Sequence, residues 1–390
     1  MEATSNLSAV VAWSGFALAF IFGAVGNKVN FCTMGSVSDV VTMGDWGRMR
    51  MWLLAIAVAI IGAYTLQYLG LVDLSKSIYT TPNFTWLSFI VGGFLFGVGM
   101  TLGSGCGSKT LIRIGGGNLK SLVVYVFLAI SAYMTLRGLF GQFRVSVLQA
   151  AAVNLAASGI KGQDLPSLLA GTGIDLNALR IAMAAIVAAA LLIFVFKDEE
   201  FRARLDYIAG GVVIGLVVVA GWYVTGHIGY QENPDTLEMT FFGTNTRAAE
   251  SFTFVAPLAY TLELLMLWTD KSLTITFGIM AVFGVMVGSF VYAIASKTFR
   301  WEGFTTIEDL GSHILGGILM GFGGVAALGC TIGQGITGFS TLALGSIITF
   351  LAIIAGSVAT MKYQYWKMMR ETCSMADGFD AAIESGSVGR

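Results

Sequence analysis

Long apolar stretches dominate the chain. They lie near 8–26, 49–71, 86–103, 119–140, 179–196, 206–225, 273–295, 311–328 and 341–365. Each approaches the roughly 20 residues that a helix needs to cross a bilayer. Four further segments lie between them, around Cys32, Cys106, Cys330 and over 252–268. These are too short to cross and too apolar for exposed loops. Irregular backbone at membrane depth is tolerated only where protein buries it or a wet cavity faces it. The pattern therefore predicts an all-α polytopic membrane protein with about nine transmembrane helices plus four short membrane-embedded dips.

The same pattern repeats. Gly92, Gly93, Gly97, Gly99, Gly105 and Cys106 recur 224 residues later as Gly316, Gly317, Gly321, Gly323, Gly329 and Cys330. Chance glycine matches are cheap in a chain with 50 glycines, but a spaced set ending on one of only four cysteines is not. At this offset the span at 49–71 falls on 273–295, and Cys32 falls on Ala256. Each half reads as span, dip, span, span, dip, span, and the stretch at 179–196 joins them. An odd number of spans between equivalent points makes the second half an inverted copy, a recurrent plan for membrane proteins with sites at mid-bilayer. The expected division is 1–140 for the first repeat, 141–205 for an outward loop and linking span, 206–366 for the second repeat, and 367–390 for a cytoplasmic tail.

Charge fixes an expected orientation. Only 12% of residues are charged, about half the usual share in soluble domains. Of the 22 Lys and Arg, 15 fall on one side of the nine-span layout and 7 on the other. The richer side belongs in the cytoplasm, so the N-terminus is expected outside and the C-terminus inside a cell (inner) membrane. The first apolar run lacks a basic leader and is expected as a retained span. A net charge of −1 argues against nucleic-acid binding through a basic face. No charge falls deep in a span by these boundaries, which argues against a proton relay.

The candidate chemistry sits in the dips. Gly103-Ser104-Gly105-Cys106-Gly107-Ser108 and Leu328-Gly329-Cys330-Thr331 interrupt apolar helices with flexible, hydroxyl-rich sequence, and Asn30-Phe31-Cys32-Thr33 does so earlier. A backbone broken there presents a helix N-terminus, which favours an anion. Thiols are soft, weak donors and suit a sulfur-bearing anion. Thr331, Gln334, Ser104, Ser108 and Thr33 are candidate hydrogen-bonding partners, and Lys109 is a candidate attractor at the inner mouth. Competing readings are ordinary: buried cysteines pack as small hydrophobes, and Lys109 and Arg113 fit normal cytoplasmic placement. A Cys106–Cys330 disulfide is a further option, although it would leave no free thiols there. Cys373 lies in the polar tail and carries no expected role. The two His, His227 and His313, are expected to be interfacial or structural. Two His and four scattered Cys give no metal framework, and neither cofactor nor metal is expected.

At these residues the chain resembles the YeeE/YedE family of sulfur-compound transporters, over roughly 8–140 and 206–365. The motifs are a Phe-Cys dip before one span and two Gly-Cys dips in glycine-rich context. The resemblance implies nine spans plus four short embedded helices in inverted halves. It also implies three path-lining cysteines that pass thiosulfate by S–H···S hydrogen bonds. On that pattern Cys330 is the outer cysteine, followed by Cys32 and then Cys106. The half holding two cysteines comes first here, which resembles a permutation of the family order. The expected function is uptake of a sulfur-containing anion, with thiosulfate foremost and sulfite or a selenium compound as alternatives. An apolar setting disfavours the thiolate, so non-covalent relay is expected and not an enzyme. The alternatives are a membrane thiol oxidoreductase or sulfur transferase, which lacks a Cys-x-x-Cys pair here, and a purely structural subunit. The implied partners are the anion, membrane lipid and a cytoplasmic sulfur-carrier protein.

Overall fold

The computed structural model describes the backbone of residues 2–170, 175–234 and 236–384, with side chains from residue 6 to 370 inside those bounds. The first repeat comprises α1 (Glu2–Lys28), α2 (Thr33–Ser38, running on as a π turn Asp39–Met43), α3 (Gly47–Tyr68), α4 (Trp86–Leu102), α5 (Gly107–Gly115) and α6 (Leu119–Arg137). Next come short α7 (Leu139–Phe143) and α8 (Leu165–Leu169), then α9 (Leu176–Phe196) and α10 (Glu199–Ala203). The second repeat follows with α11 (Leu205–Tyr223), α12 (Val255–Met266), α13 (Phe277–Ala295), α14 (Ile307–Ala326), a π turn Gly333–Gly338, and α15 (Leu344–Glu384). Sheet is confined to two short antiparallel pairs, β1 (Asn83–Phe84) with β2 (Val153–Asn154) and β3 (Tyr230–Glu232) with β4 (Met239–Phe241).

Among the described residues, eight helices are long and apolar enough to cross a membrane. Helices are the answer that lipid imposes, because each backbone N–H and C=O must be satisfied within its own segment. The ninth expected span is α14. It has 20 residues, about 30 Å at 1.5 Å per residue, but Glu308, Asp309 and His313 in its first two turns lower its apolar character. It packs lengthwise against α4 and α6. The chain is a multi-pass, all-α membrane protein.

The glycines explain how close the helices lie, and they expose the repeat. A Cβ on Gly92 would meet the Gly323 carbonyl at 2.8 Å, and one on Gly99 would meet the Gly316 carbonyl at 2.7 Å. Gly92 and Gly316 are equivalent in the repeat, as are Gly99 and Gly323, so α4 and α14 cross about a local two-fold relationship. Other contacts come in matching pairs. Helix α4 packs on α15 as α14 packs on α6, and α1 packs on α13 as α11 packs on α3. Each half therefore builds its core against the other half. Helix α9 leans on α3 and buries only Ala184, Ala188 and Val195. It links the halves without belonging to the paired core.

Two faces result. One is rich in loops: β1 joins β2, Ala249 bridges Ser77, and Ala343 bridges Asp164. The opposite face carries Lys28, Arg50, Arg113, Arg204 and Arg300, with Arg50 bonded to Asp198 and Glu302 to Asn118.

Candidate functional site

Each of the three dip cysteines occupies the same local structure. Helix α1 ends on Asn30 (φ 50°), α4 on Ser104 (φ 57°) and α14 on Leu328 (φ 59°). These left-handed residues close their helices with paired reverse bonds. Phe31 N–H reaches the Gly26 carbonyl, Gly105 the Met100 carbonyl and Gly329 the Gly324 carbonyl, all at 2.8–2.9 Å. Such a closure satisfies the last orphan carbonyls of a helix. Two residues past each left-handed position stands a cysteine, and it opens the next short helix. Cys32 caps α2 and Cys106 caps α5. Cys330 begins the turn that leads into Gly333–Gly338, its carbonyl accepting Gln334 N–H at 2.7 Å. The fourth short helix, α12, starts after Phe254 in place of a cysteine.

The thiols take part in this capping. Gly35 N–H donates to Cys32 Sγ at 3.4 Å, and Gly333 N–H donates to Cys330 Sγ at 3.4 Å. Cys106 Sγ instead lies 3.3 Å from Ser108 Oγ. All three are free thiols and buried, so no Cys106–Cys330 disulfide is present. The Cys373 side chain lies outside the described residues. Among the described residues no group of three His, Cys, Asp or Glu could hold a metal ion.

The other candidates divide. Thr33 and Thr331 each follow a capping cysteine, and both hydroxyls are buried without a partner among the described residues. Gln334 donates Nε2 to the Ala327 carbonyl and leaves Oε1 unpartnered. Ser108 stays on Cys106. Ser104 serves the backbone: it is the left-handed closing residue, and its carbonyl accepts Arg113 at 2.7 Å. Lys109 is 8% exposed and donates to Asn30 Oδ1 at 3.1 Å. Lys109, Asn30, Arg113 and Arg300 line one open cavity on the basic face.

Cys106 lies within electrostatic reach of both Cys32 and Cys330. Cys32 faces Lys109 and Arg113, the charges of the basic face, while Gly107 beside Cys106 packs near Phe254 and Leu258 of the opposite dip. Cys106 therefore neighbours both other thiols, and Cys32 neighbours the charges of the basic face. Helix α1 runs from the loops around Gly243, beside Val11, to Lys28 in the basic-face cavity, and the chain then turns to Cys32.

Sequence reasoning missed several neighbours. Thr253 Oγ1 approaches Cys330 Sγ at 4.0 Å. Asn30 holds Lys109, and its place two residues before Cys32 was the available signal. Arg144 and Glu250 line a chamber over Gly329. They lie in long loops, where charged residues ordinarily face water.

Residues 28–359 match the model of the sulphur transport family. The chain belongs to that family. Two relatives named thiosulfate transporter TsuA are similar to it. The one from Escherichia coli (strain K12) is 28% identical over 344 residues, covering 83% of this chain and 86% of its own. The one from Spirochaeta thermophila is 25% identical over 358 residues, covering 88% and 96%. Alignments of this extent require the same segment order in all three chains. The halves of this sulphur transport protein therefore follow the same order as in those relatives, contrary to the permutation expected from the sequence.

Proposed function

We propose that this protein is an uptake permease for a sulfur-containing anion, with thiosulfate the first candidate. The observation that carries the reading is the shared placement of Cys330, Cys106 and Cys32. All three are buried at the starts of short helices, beside Thr331 and Thr33 hydroxyls that have no partner among the described residues. Helix N-termini favour negative charge without placing a cation in the path. The sulfur atoms offer weak, polarizable donors to a ligand that itself ends in sulfur. The names of the two relatives support thiosulfate over other sulfur anions.

On this reading the anion enters at the loop-rich face, passes Cys330, Cys106 and Cys32 in turn, and leaves beside Lys109 and Asn30. The loop-rich face is outward, the basic face cytoplasmic, and the membrane is the inner one. The repeats at 1–140 and 206–366 each supply one entrance, with the linker at 141–205 bordering the outer one and the tail at 367–390 standing outside the path. Passage is by hydrogen bonding without covalent transfer. A sulfur-carrier protein waiting at the basic face would draw the anion onward.

The test is uptake of radiolabelled thiosulfate by cells lacking their own sulfate and thiosulfate importers. Uptake lost in Cys330→Ala, Cys106→Ala and Cys32→Ala but kept in Cys373→Ala, at equal membrane expression, is the expected result. Wild-type uptake surviving all three substitutions would make the thiols packing residues and remove the mechanism.

A further inference from the structure

A chamber of about 150 Å³ lies beneath the loop-rich face. Residues distant in sequence enclose it: Tyr79, Arg144, the 245–253 loop, the first turn of α12 and the end of α14. Leu328 and Gly329 form part of its wall, next to Cys330, and Thr253 belongs both to the chamber and to the Cys330 contact. The wall is mainly apolar, with few polar groups. That is the character of a small-molecule site, where a handful of groups fix the ligand.

Two of these groups carry charge. The Arg144 Nε is buried and meets no acceptor among the described residues. Glu263, on the adjacent α12, is held instead by Arg137 at 3.2 Å. Glu250 is 8% exposed, and one carboxylate oxygen accepts the Thr246 hydroxyl at 2.9 Å. Its backbone is pinned by Thr225 from the end of α11. The groups facing it from neighbouring elements are Tyr79, Tyr260 and, across the chamber, Arg144. Lys76, whose carbonyl holds Ala249, turns its ammonium to Tyr230 at 2.6 Å.

We infer that this chamber is the outer anion-recognition site, in which Arg144 supplies the countercharge to an incoming oxyanion and Glu250 admits it only when protonated. The inference rests on the permease reading above and names where that permease first holds its substrate. A guanidinium fork matches the oxygens of a sulfonate-like group, leaving the terminal sulfur of thiosulfate free to reach Cys330 below. An ionised Glu250 in the same low-dielectric space would place like charges together. Burial pushes this carboxyl up to about 7, the Thr246 hydroxyl and Asn245 N–H pulling the other way. The protonated, competent fraction therefore falls through neutral pH, and apparent affinity falls with it. Thiosulfate stays fully ionised over this range, so the dependence belongs to the protein.

The experiment is thiosulfate binding by the purified full chain in detergent, where no gradient acts, paired with the uptake assay. The wild-type Kd should weaken about tenfold between about pH 6 and 8. Glu250→Gln should keep the acid-side affinity throughout. Arg144→Ala should weaken binding at least about tenfold at every pH, with Arg144→Lys restoring part of it. Should Arg144→Ala fail to fold, the near-isosteric Glu250→Gln decides the matter. A flat wild-type profile with normal uptake, or an Arg144→Ala that binds like the wild type, overturns the chamber and leaves the thiol path standing. A wild type that neither binds nor imports thiosulfate overturns the permease reading and the chamber together.

Discussion

Cys32 and Cys330 lie in separate halves and at different repeat positions, yet each thiol accepts the N–H of a glycine three residues on, Gly35 and Gly333, at 3.4 Å. The sulfur thus satisfies a helix end and faces the proposed path at once. Serine preserves the first role, since its hydroxyl caps at least as well, whereas alanine removes it at about 1 kcal/mol per cap. Cys32→Ser and Cys330→Ser should therefore melt like the wild type in detergent, and the alanine variants should melt lower. Uptake should fall at least about tenfold in all four, a barrier change near 1.4 kcal/mol. A serine variant with full uptake would show that any hydroxyl serves and that the softness of sulfur is irrelevant.

Arg48 offers a sharper stability test. It pairs with Asp39, whose side chain is 6% exposed in the π turn that follows α2. Arg48 also packs over Gly35, so the pair supports the element that Cys32 caps. Removing one partner of a buried ion pair leaves an uncompensated charge and costs about 3–5 kcal/mol. Arg48→Ala should lower the melting temperature far more than Arg300→Ala, whose guanidinium is 79% exposed beside Glu302. Adding Asp39→Asn to Arg48→Ala should recover much of the loss. Equal effects of the two single changes would mean that the Asp39 site is wet.

The span pattern and the 224-residue repeat were legible because both rest on composition and spacing, which survive without coordinates. The repeat reappears in the Gly92–Gly323 and Gly99–Gly316 contacts. The three cysteines were legible as a group for the same reason. Their common geometry was not. Asn30, Ser104 and Leu328 share a left-handed backbone, yet they are three different residue types, and none is the glycine expected there. Arg144 and Glu250 were invisible because nothing local marks a loop charge as buried. Only the packing of segments far apart in sequence, around Tyr79, Arg144 and the 245–253 loop, encloses the chamber.

Packing of the two halves should respond to glycine substitutions with opposite signs. A Cβ on Gly97 would sit 2.1 Å from the Ile353 carbonyl oxygen, with backbone on both sides of the contact. Gly97→Ala must push α4 from α15 and should cost about 1–3 kcal/mol by overpacking. A Cβ on Gly311 would meet nothing within 4 Å. Gly311→Ala should be neutral or stabilising by up to about 1 kcal/mol through helix propensity. Thermal denaturation of the two variants in one detergent checks both signs. A tolerated Gly97→Ala would show that the α4–α15 contact yields, and the close-packed core of the halves would need another basis.

Glu250 makes a last prediction that concerns folding and needs no substrate. Its carboxyl is raised to about 7 by burial, against an unfolded value of about 4.3. Between these values the folded chain holds a proton that the unfolded chain has lost. Stability therefore falls as pH rises across that window and levels off above it. The full difference is on the order of 4 kcal/mol. Glu250→Gln keeps the hydrogen-bonding outline and cannot ionise. It should melt higher than the wild type at about pH 8, with the advantage shrinking towards zero near pH 4. Because the chamber is empty in this comparison, the result separates burial of the carboxyl from any contact with an anion. A wild type and a Glu250→Gln variant whose melting temperatures run parallel over the whole range would place the carboxyl in water, and the pH dependence of anion entry would lose its titrating group.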